Sequence, residues 1–214
     1  MPPHRPADLS LFFSILQTLE EIQAPYMMIG AFAATLYGLS RLTYDIDIVV
    51  DLSADHVETL AAAYPLPHYY ADPQQMRDSI QMGILFNIID TSRGEKADLV
   101  PLSMEPRYQE AFGRRIRQSL ELPEGETLVV WCARPEDVIL GKLLAWTEGR
   151  ARRHETDIYE MVYNAAQQQQ RGLTPLLQVD ALAQDIAALG NEDVNHLWEA
   201  IQAQVQTALG GSTP

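Results

Sequence analysis

The sequence predicts an α+β protein: a mixed β-sheet core flanked by helices, followed by a C-terminal helical bundle. Three observations carry this. Short segments at 26–29, 46–50, 84–89, 96–101, 115–120 and 127–132, several of them apolar runs, read as strands. Segments between several of them carry apolar residues at helical spacing. Past Ala133 the composition shifts, and only helical patterns remain. The expected division is 1–132 for the α/β core with its N-terminal helix, 133–209 for the helical domain, and 210–214 for a disordered tail.

Residues 1–6, with three prolines, are expected to be a loose arm. Leu9, Phe12, Phe13, Leu16 and Leu19 form a helical stripe within 7–23. Tyr26 to Ile29 is the first strand, and Gly30 to Leu39 a short helix crossing to the next, which ends in Ile48-Val49-Val50. Ser53 caps a helix running to about Ala63, which Pro65 and Pro67 end. Asp72-Pro73 supplies an N-cap and a proline at the first helical position, and that helix stops near Gly83. The nearly continuous apolar run Ile84 to Ile89 reads as a central strand. A turn at 91–95 joins it to Lys96–Pro101 in a hairpin. A short helix over 105–112 precedes strands at 115–120 and 127–132. Arg134-Pro135-Glu136-Asp137 opens a long helix, and 155–168, 174–189 and 191–208 are helical, with breaks near Gly149, Gly172 and Gly190.

Hydrophobic residues make up 47% of the 214 and charged ones 21%, enough apolar material for a real core. The single cysteine, Cys132, excludes a disulfide framework and a cysteine-rich zinc site, and its apolar run makes it a buried, inert thiol. The histidines are scattered, with no ligand spacing. There is no charged segment followed by an apolar leader, and no run of membrane-span length. No membrane partner is expected, and the cytoplasm is the expected location. Lys plus Arg number 15 against 29 for Asp plus Glu, a formal charge of −14. This argues against a broad phosphate-backbone footprint. It suits a compact substrate whose charge a metal neutralises, or a surface facing a basic partner protein. Basic residues gather only at Arg114, Arg115, Arg117 and at Arg150, Arg152, Arg153.

The stretch Gly30 to Asp51 organises the chemistry. Period-2 spacing puts Asp45 and Asp47 on one face of a strand, with Cα atoms about 7 Å apart, while Ile46 and Ile48 point into a core. Two carboxylates at the start of an apolar strand are costly unless a cation lies between them. Magnesium, held by one or two carboxylates plus substrate phosphates, would satisfy both. The plainer reading is that aspartates flank strands as turn formers. Gly30 permits a tight turn and a close approach to a ligand.

Gly30-Ala31 followed by Arg41-Leu42-Thr43-Tyr44-Asp45-Ile46-Asp47 resembles the signature of the polymerase-β-like nucleotidyltransferase superfamily. That signature is a Gly-Ser or Gly-Gly pair, a spacer, and Asp-x-Asp on a strand. The Arg-x-Thr-x-Asp-x-Asp form is similar to the small bacterial branch that includes the AbiEii-type toxins. Pro135 to Trp146 and Arg153 to Ile158 also resemble that branch, so the resemblance covers roughly residues 26–160. It implies a nucleotidyltransferase core before the helical bundle. It further implies transfer of a nucleotidyl group from an NTP, with Mg²⁺ or Mn²⁺, to an acceptor. That acceptor would be RNA such as tRNA, a protein side chain or a small molecule. The branch also implies a toxin with an antitoxin as partner. Ala31 departs from the pattern: its N–H remains, but a hydroxyl contact to the triphosphate is lost.

Nucleotidyl transfer needs two or three carboxylates, a phosphate-cradling turn and cations for the leaving pyrophosphate. Asp45 and Asp47 are the first two acids and Asp98, in Lys96-Ala97-Asp98-Leu99, the best third. The alternative for Asp98 is an edge-strand Lys–Asp pattern facing water. Asp51 and Asp90 are weaker candidates, Asp90 because it ends a strand before a turn. Gly30 and Ala31 would cradle the triphosphate. Arg41 would contact a phosphate or the acceptor, and Thr43, on the dyad's face, would bond an aspartate. Lys142 lies in an apolar helix, where a lysine needs a partner or a ligand. Arg153 and Asp157 share a helix face, and Asp157 could hold Lys142 or position the nucleotide. The alternative is an interhelical salt bridge that sets packing. Trp146 is a packed indole before it is a base-stacking surface. A function of another class stands beside the enzyme: a catalytically inactive fold of this type serving as a nucleotide sensor or protein-binding module.

Overall fold

The computed structural model describes residues 9–41, 43, 46–122 and 125–210. The chain divides into two compact units, Met1–Phe32 with Leu42–Cys132, and Ala33–Arg41 with Ala133–Pro214. A division at residue 132 alone does not describe this, because 33–41 cluster with the C-terminal helices. The expected loose arm at 1–6 and residues 211–214 of the expected 210–214 tail lie outside the described residues.

The first unit is built on a seven-stranded mixed sheet. Its strands are β1 (Tyr26–Ile29), β2 (Asp47–Val50), β3 (Tyr69–Tyr70), β4 (Phe86–Asp90), β5 (Glu95–Pro101), β6 (Ile116–Glu121) and β7 (Thr127–Cys132). Their order is β3-β4-β5-β2-β1-β7-β6. β2 runs parallel to β5 and β1 parallel to β7, while the other neighbours are antiparallel. One row across the sheet is Met28, Ile48, Leu99 and Phe86, at most 1% exposed. Burying such side chains is the main favourable contribution to folding. The next row is Ile29, Asp47, Asp98 and Asn87, all half-buried. The pleat turns successive rows to opposite faces, so an apolar core row places a polar row beside it on the other side.

Helix α1 (Ser10–Glu21) lies against β5 and β7, burying Leu11, Phe12, Phe13, Ile15, Leu16 and Leu19. The Phe12 and Phe32 rings meet at 4.4 Å. Helix α2 (Gly30–Thr35) is shorter than the expected 30–39 segment. The chain leaves it through Gly38, at φ +102°, where a Cβ would overlap Asn164. Helix α3 (Ala54–Ala63) is capped by Ser53, whose hydroxyl accepts from His56 N. Helix α4 (Pro73–Met82) is capped by Asp72 through Gln75 N. Gly83 then takes a left-handed conformation, Ile84 and Leu85 stay exposed, and β4 starts only at Phe86. Helix α5 (Pro106–Gly113) follows β5. β3 had no sequence signal, being two residues long beside Pro65 and Pro67.

The second unit contains α6 (Pro135–Gly149), α7 (Arg152–Gln170), α8 (Val179–Ala188) and α9 (Glu192–Ala208). α6 packs on α7, α8 and α9, and α7 on α9. The 33–41 segment joins them: Tyr37 Oη donates to Ala133 O at 2.7 Å, and Asn164 Nδ2 donates to Tyr37 O at 3.1 Å. α8 starts later than the expected residue 174, because the buried Glu136 carboxylate accepts Gln178 N at 2.6 Å and thereby fixes where the helix begins. No helix of the described residues is long and apolar enough to cross a membrane.

Candidate functional site

In the sheet unit, Asp47 at the start of β2 stands in register with Asp98 on β5. Paired residues on neighbouring strands project to the same face, with strands about 4.8 Å apart. The Asp98 N–H extends the ladder to Ile46 O at 3.0 Å. Ala97 and Leu99, on either side of Asp98, are buried, so the acid's own strand points it away from the core. Asn87, opposite on β4, donates from Nδ2 to Asp98 Oδ1. Lys96 Nζ donates to both oxygens, at 2.9 and 3.1 Å.

Gly30 takes φ +69°, and a Cβ there would overlap the Asp47 carboxylate. The backbone conformation favours glycine, and an added Cβ would also force the Asp47 carboxylate to shift. The β1–α2 turn and the Asp47 carboxylate therefore lie closer than a side chain at position 30 would leave them. From α5, Tyr108 lies within electrostatic range: burial holds its phenol above the ordinary value, and the charges of Glu105 and Asp47 add to that. The donors here are hard oxygens on adjacent strands beside a turn without a side chain, which fits magnesium or manganese. Among the described residues no group of three or more His, Cys, Asp or Glu is placed for a metal, and Asp45 lies outside those residues.

In the helical unit, Asp157 is fully buried. Its Oδ1 accepts from Arg41 Nε at 2.7 Å, and its Oδ2 from Arg41 Nη2 at 2.7 Å and Lys142 Nζ at 2.6 Å. Burial would raise the carboxyl's pKa, but the bonds from Arg41 and Lys142 outweigh it and hold the group below the ordinary range. Lys142 is buried with it, only 6% exposed. His154 is pushed down by burial, then by the charges of Arg153 and Lys142, which favours the neutral ring at neutral pH. Its Nδ1 is buried and has no hydrogen-bond partner among the described residues. Trp146 is buried, donates Nε1 to Glu155 at 2.8 Å and is covered by Arg150 at 4.0 Å. It is a packed indole.

The sequence-predicted residues thus fall into two groups. Gly30, Ala31, Asp47 and Asp98 belong to the sheet unit. Arg41, Lys142 and Asp157 form one bonded cluster in the helical unit, while Arg153 is exposed and makes no ion pair with Asp157. Thr43 is buried, but its expected place on the dyad's face involves residues outside the described ones. Asp90 serves its own turn, accepting Ser92 N, Ser92 Oγ and Arg93 N. The arginines at and just before β6 are engaged locally: Arg117 pairs with Glu20, and Arg115 lies over Phe112 and Trp131. Asn87 was missed, since an asparagine in a strand signals nothing until register puts it opposite an acid.

No protein-family model matches the chain. No curated protein sequence matches it. Among solved structures, it is similar to an antigenic nucleotidyltransferase-like protein from Paracoccidioides brasiliensis, 18% identical, TM-score 0.47, covering 90% of this chain and 92% of that one. It is similar to JHP933 from Helicobacter pylori, 15% identical, TM-score 0.45, covering 94% and 93%. The antibiotic-resistance factor ANT(2'')-Ia is likewise similar, 18% identical, TM-score 0.43, covering 94% of each chain.

Proposed function

We propose that this protein transfers a nucleotidyl group from an NTP to an acceptor, with Mg²⁺ or Mn²⁺ as cofactor. The observation that carries this reading is the register of Asp47 with Asp98, with Gly30 pressed against the Asp47 carboxylate. Two acids beside a side-chain-free turn are groups that a metal-bound triphosphate would use. Asp47 and Asp98, with Asp45, would hold the metal. Bound there, a divalent cation supplies charge neutralisation on the phosphates. The Gly30-Ala31 backbone N–H groups would cradle the triphosphate. Asp98 is half-buried, already oriented by Asn87, and is the group to take the proton from an acceptor hydroxyl. Of the expected nucleotide-side cations, Lys142 is committed to Asp157. Arg41 is engaged by the same carboxylate through Nε and Nη2, and Arg153 is exposed. The acceptor class is RNA such as tRNA, a protein side chain or a small molecule. A toxin role with an antitoxin partner follows from the AbiEii-like motif.

A second reading has its own support. Ala31 offers no hydroxyl to the triphosphate and the chain carries a charge of −14, which suits a nucleotide sensor or protein-binding module without turnover. Incubation with each α-labelled NTP and Mg²⁺ or Mn²⁺, with and without total RNA, separates the two. The enzyme reading expects label transfer that falls at least about 100-fold in Asp47→Ala, the scale for losing a group that stabilises transition-state charge. Metal-dependent binding without transfer establishes the sensor. Transfer that survives Asp47→Ala unchanged removes the acid row from the account.

A further inference from the structure

Lys96 stands two residues before Asp98 on β5, so both side chains leave the same face of the strand. Its ammonium reaches both carboxylate oxygens, while Asn87 reaches Oδ1 only. The two donors differ in kind. Asn87 is neutral, half-buried and placed by the β4–β5 pairing. Lys96 is a cation on a flexible stem, and its side chain is 53% exposed against 18% for Asp98. An ammonium spanning both oxygens holds the position that a divalent cation bound by Asp98 would take, and the two positive charges repel.

We propose that Lys96 is a displaceable counter-ion of Asp98. It neutralises the carboxylate in the metal-free protein and swings into solvent when a divalent cation binds, so it sets the metal concentration at which the site fills. This rests on the metal-dependent reading above. Three features select Lys96 for the role. The lysine's side of its pair with Asp98 is exposed, and such a pair contributes little, so breaking that contact costs little. The shared strand face gives it a return path. Asn87 keeps the carboxylate oriented through Oδ1 after the lysine has gone, leaving Oδ2 to the incoming ion.

The test is Mn²⁺ binding to the full chain without nucleotide, read from the electron paramagnetic resonance signal of free Mn²⁺. Wild type, Lys96→Met, Lys96→Arg and Asp98→Asn are compared, with circular dichroism checking that each folds. Lys96→Met is expected to bind Mn²⁺ about three- to fivefold more tightly, the range of an exposed ion pair. Lys96→Arg, keeping the charge, should stay within about twofold of wild type, and the gain in Lys96→Met should shrink at high salt. Asp98→Asn should lose binding about tenfold or more. Loss in Asp98→Asn without a gain in Lys96→Met overturns the counter-ion and leaves the metal reading intact. Equal binding by wild type and Asp98→Asn overturns both.

Discussion

Asp98 in the sheet and Asp157 among the helices each accept hydrogen bonds from a lysine and from one further side chain, yet the two are built for opposite ends. Asp157 is sealed from water and receives three charge-assisted bonds of 2.6–2.7 Å from Arg41 and Lys142. Its own chain satisfies it. Asp98 is half-buried, and its charged partner is a solvent-exposed lysine. The lesson is that burial of the partner, more than presence of the acid, separates a structural carboxylate from one available to a ligand. A buried pair cannot open without stranding a charge in low dielectric. An exposed lysine can leave into water.

The most direct way to break this comparison is to remove each acid. Asp157→Ala leaves Lys142 buried beside Arg41 without a counter-charge, and it should cost about 3–5 kcal/mol of stability. Asp98→Ala should cost about 1 kcal/mol or less, since an exposed pair and one neutral bond are all it loses. Urea denaturation midpoints, with slopes checked for equality, measure both. Equal losses at the two positions would end the distinction.

A second substitution sharpens the sheet side. Gly30→Ala forces an L-residue to φ +69° and drives a Cβ into the Asp47 carboxylate. The backbone alone costs about 1–2 kcal/mol. Gly94 is the control: it has φ +70° and nothing within 4 Å of an added Cβ. Gly94→Ala should show the backbone cost with unchanged metal binding and transfer. Gly30→Ala should add the displacement of Asp47 and lower transfer by about 10- to 100-fold, as misplacing a positioned group does. Equal behaviour of the two variants would mean that the Gly30–Asp47 contact has no bearing on function.

What could be read beforehand follows the range of the physics. Ser53 and Asp72 announce their helices because a cap acts within three residues. The parity of Asp98 between Ala97 and Leu99 was readable too, since alternation is a property of one strand. The partner of Arg41 was not. It was expected to meet phosphate or acceptor, but its guanidinium fits Asp157, 116 positions away. Arg153 and Asp157 have the spacing of an ion pair, yet the buried acid takes Arg41 and Lys142 while Arg153 faces solvent. Spacing says which residues could meet, and tertiary packing decides which do. The Asp47–Asp98 register depends on the parallel pairing of β2 with β5, a contact between distant segments that local pattern does not encode. Asn87 depends on that and on the β4–β5 register as well.

Asp90 tests a third way of holding a carboxylate, by the backbone of its own turn. The Ser92 hydroxyl holds its pKa below the ordinary range, the Ser92 and Arg93 N–H groups help, and burial works against them. A carboxyl with a depressed folded-state pKa contributes stability that is present above its unfolded value, near pH 4. That contribution is lost as pH falls through the lower folded value. Asp90→Asn keeps an oxygen for Ser92 and Arg93 but removes the charge, so it should cost about 1 kcal/mol or less at pH 7. The gap between wild type and variant should begin to narrow as pH drops below about 4, where the unfolded carboxyl takes up a proton, and should close only below the lower native value, where both forms are neutral. Urea midpoints at pH 7 and pH 3 give the answer. A gap as wide at pH 3 as at pH 7 would show that Asp90 acts through shape rather than charge, and a carboxylate satisfied by its own turn would then be no guide to reading the charged pairs of the sheet and the helices.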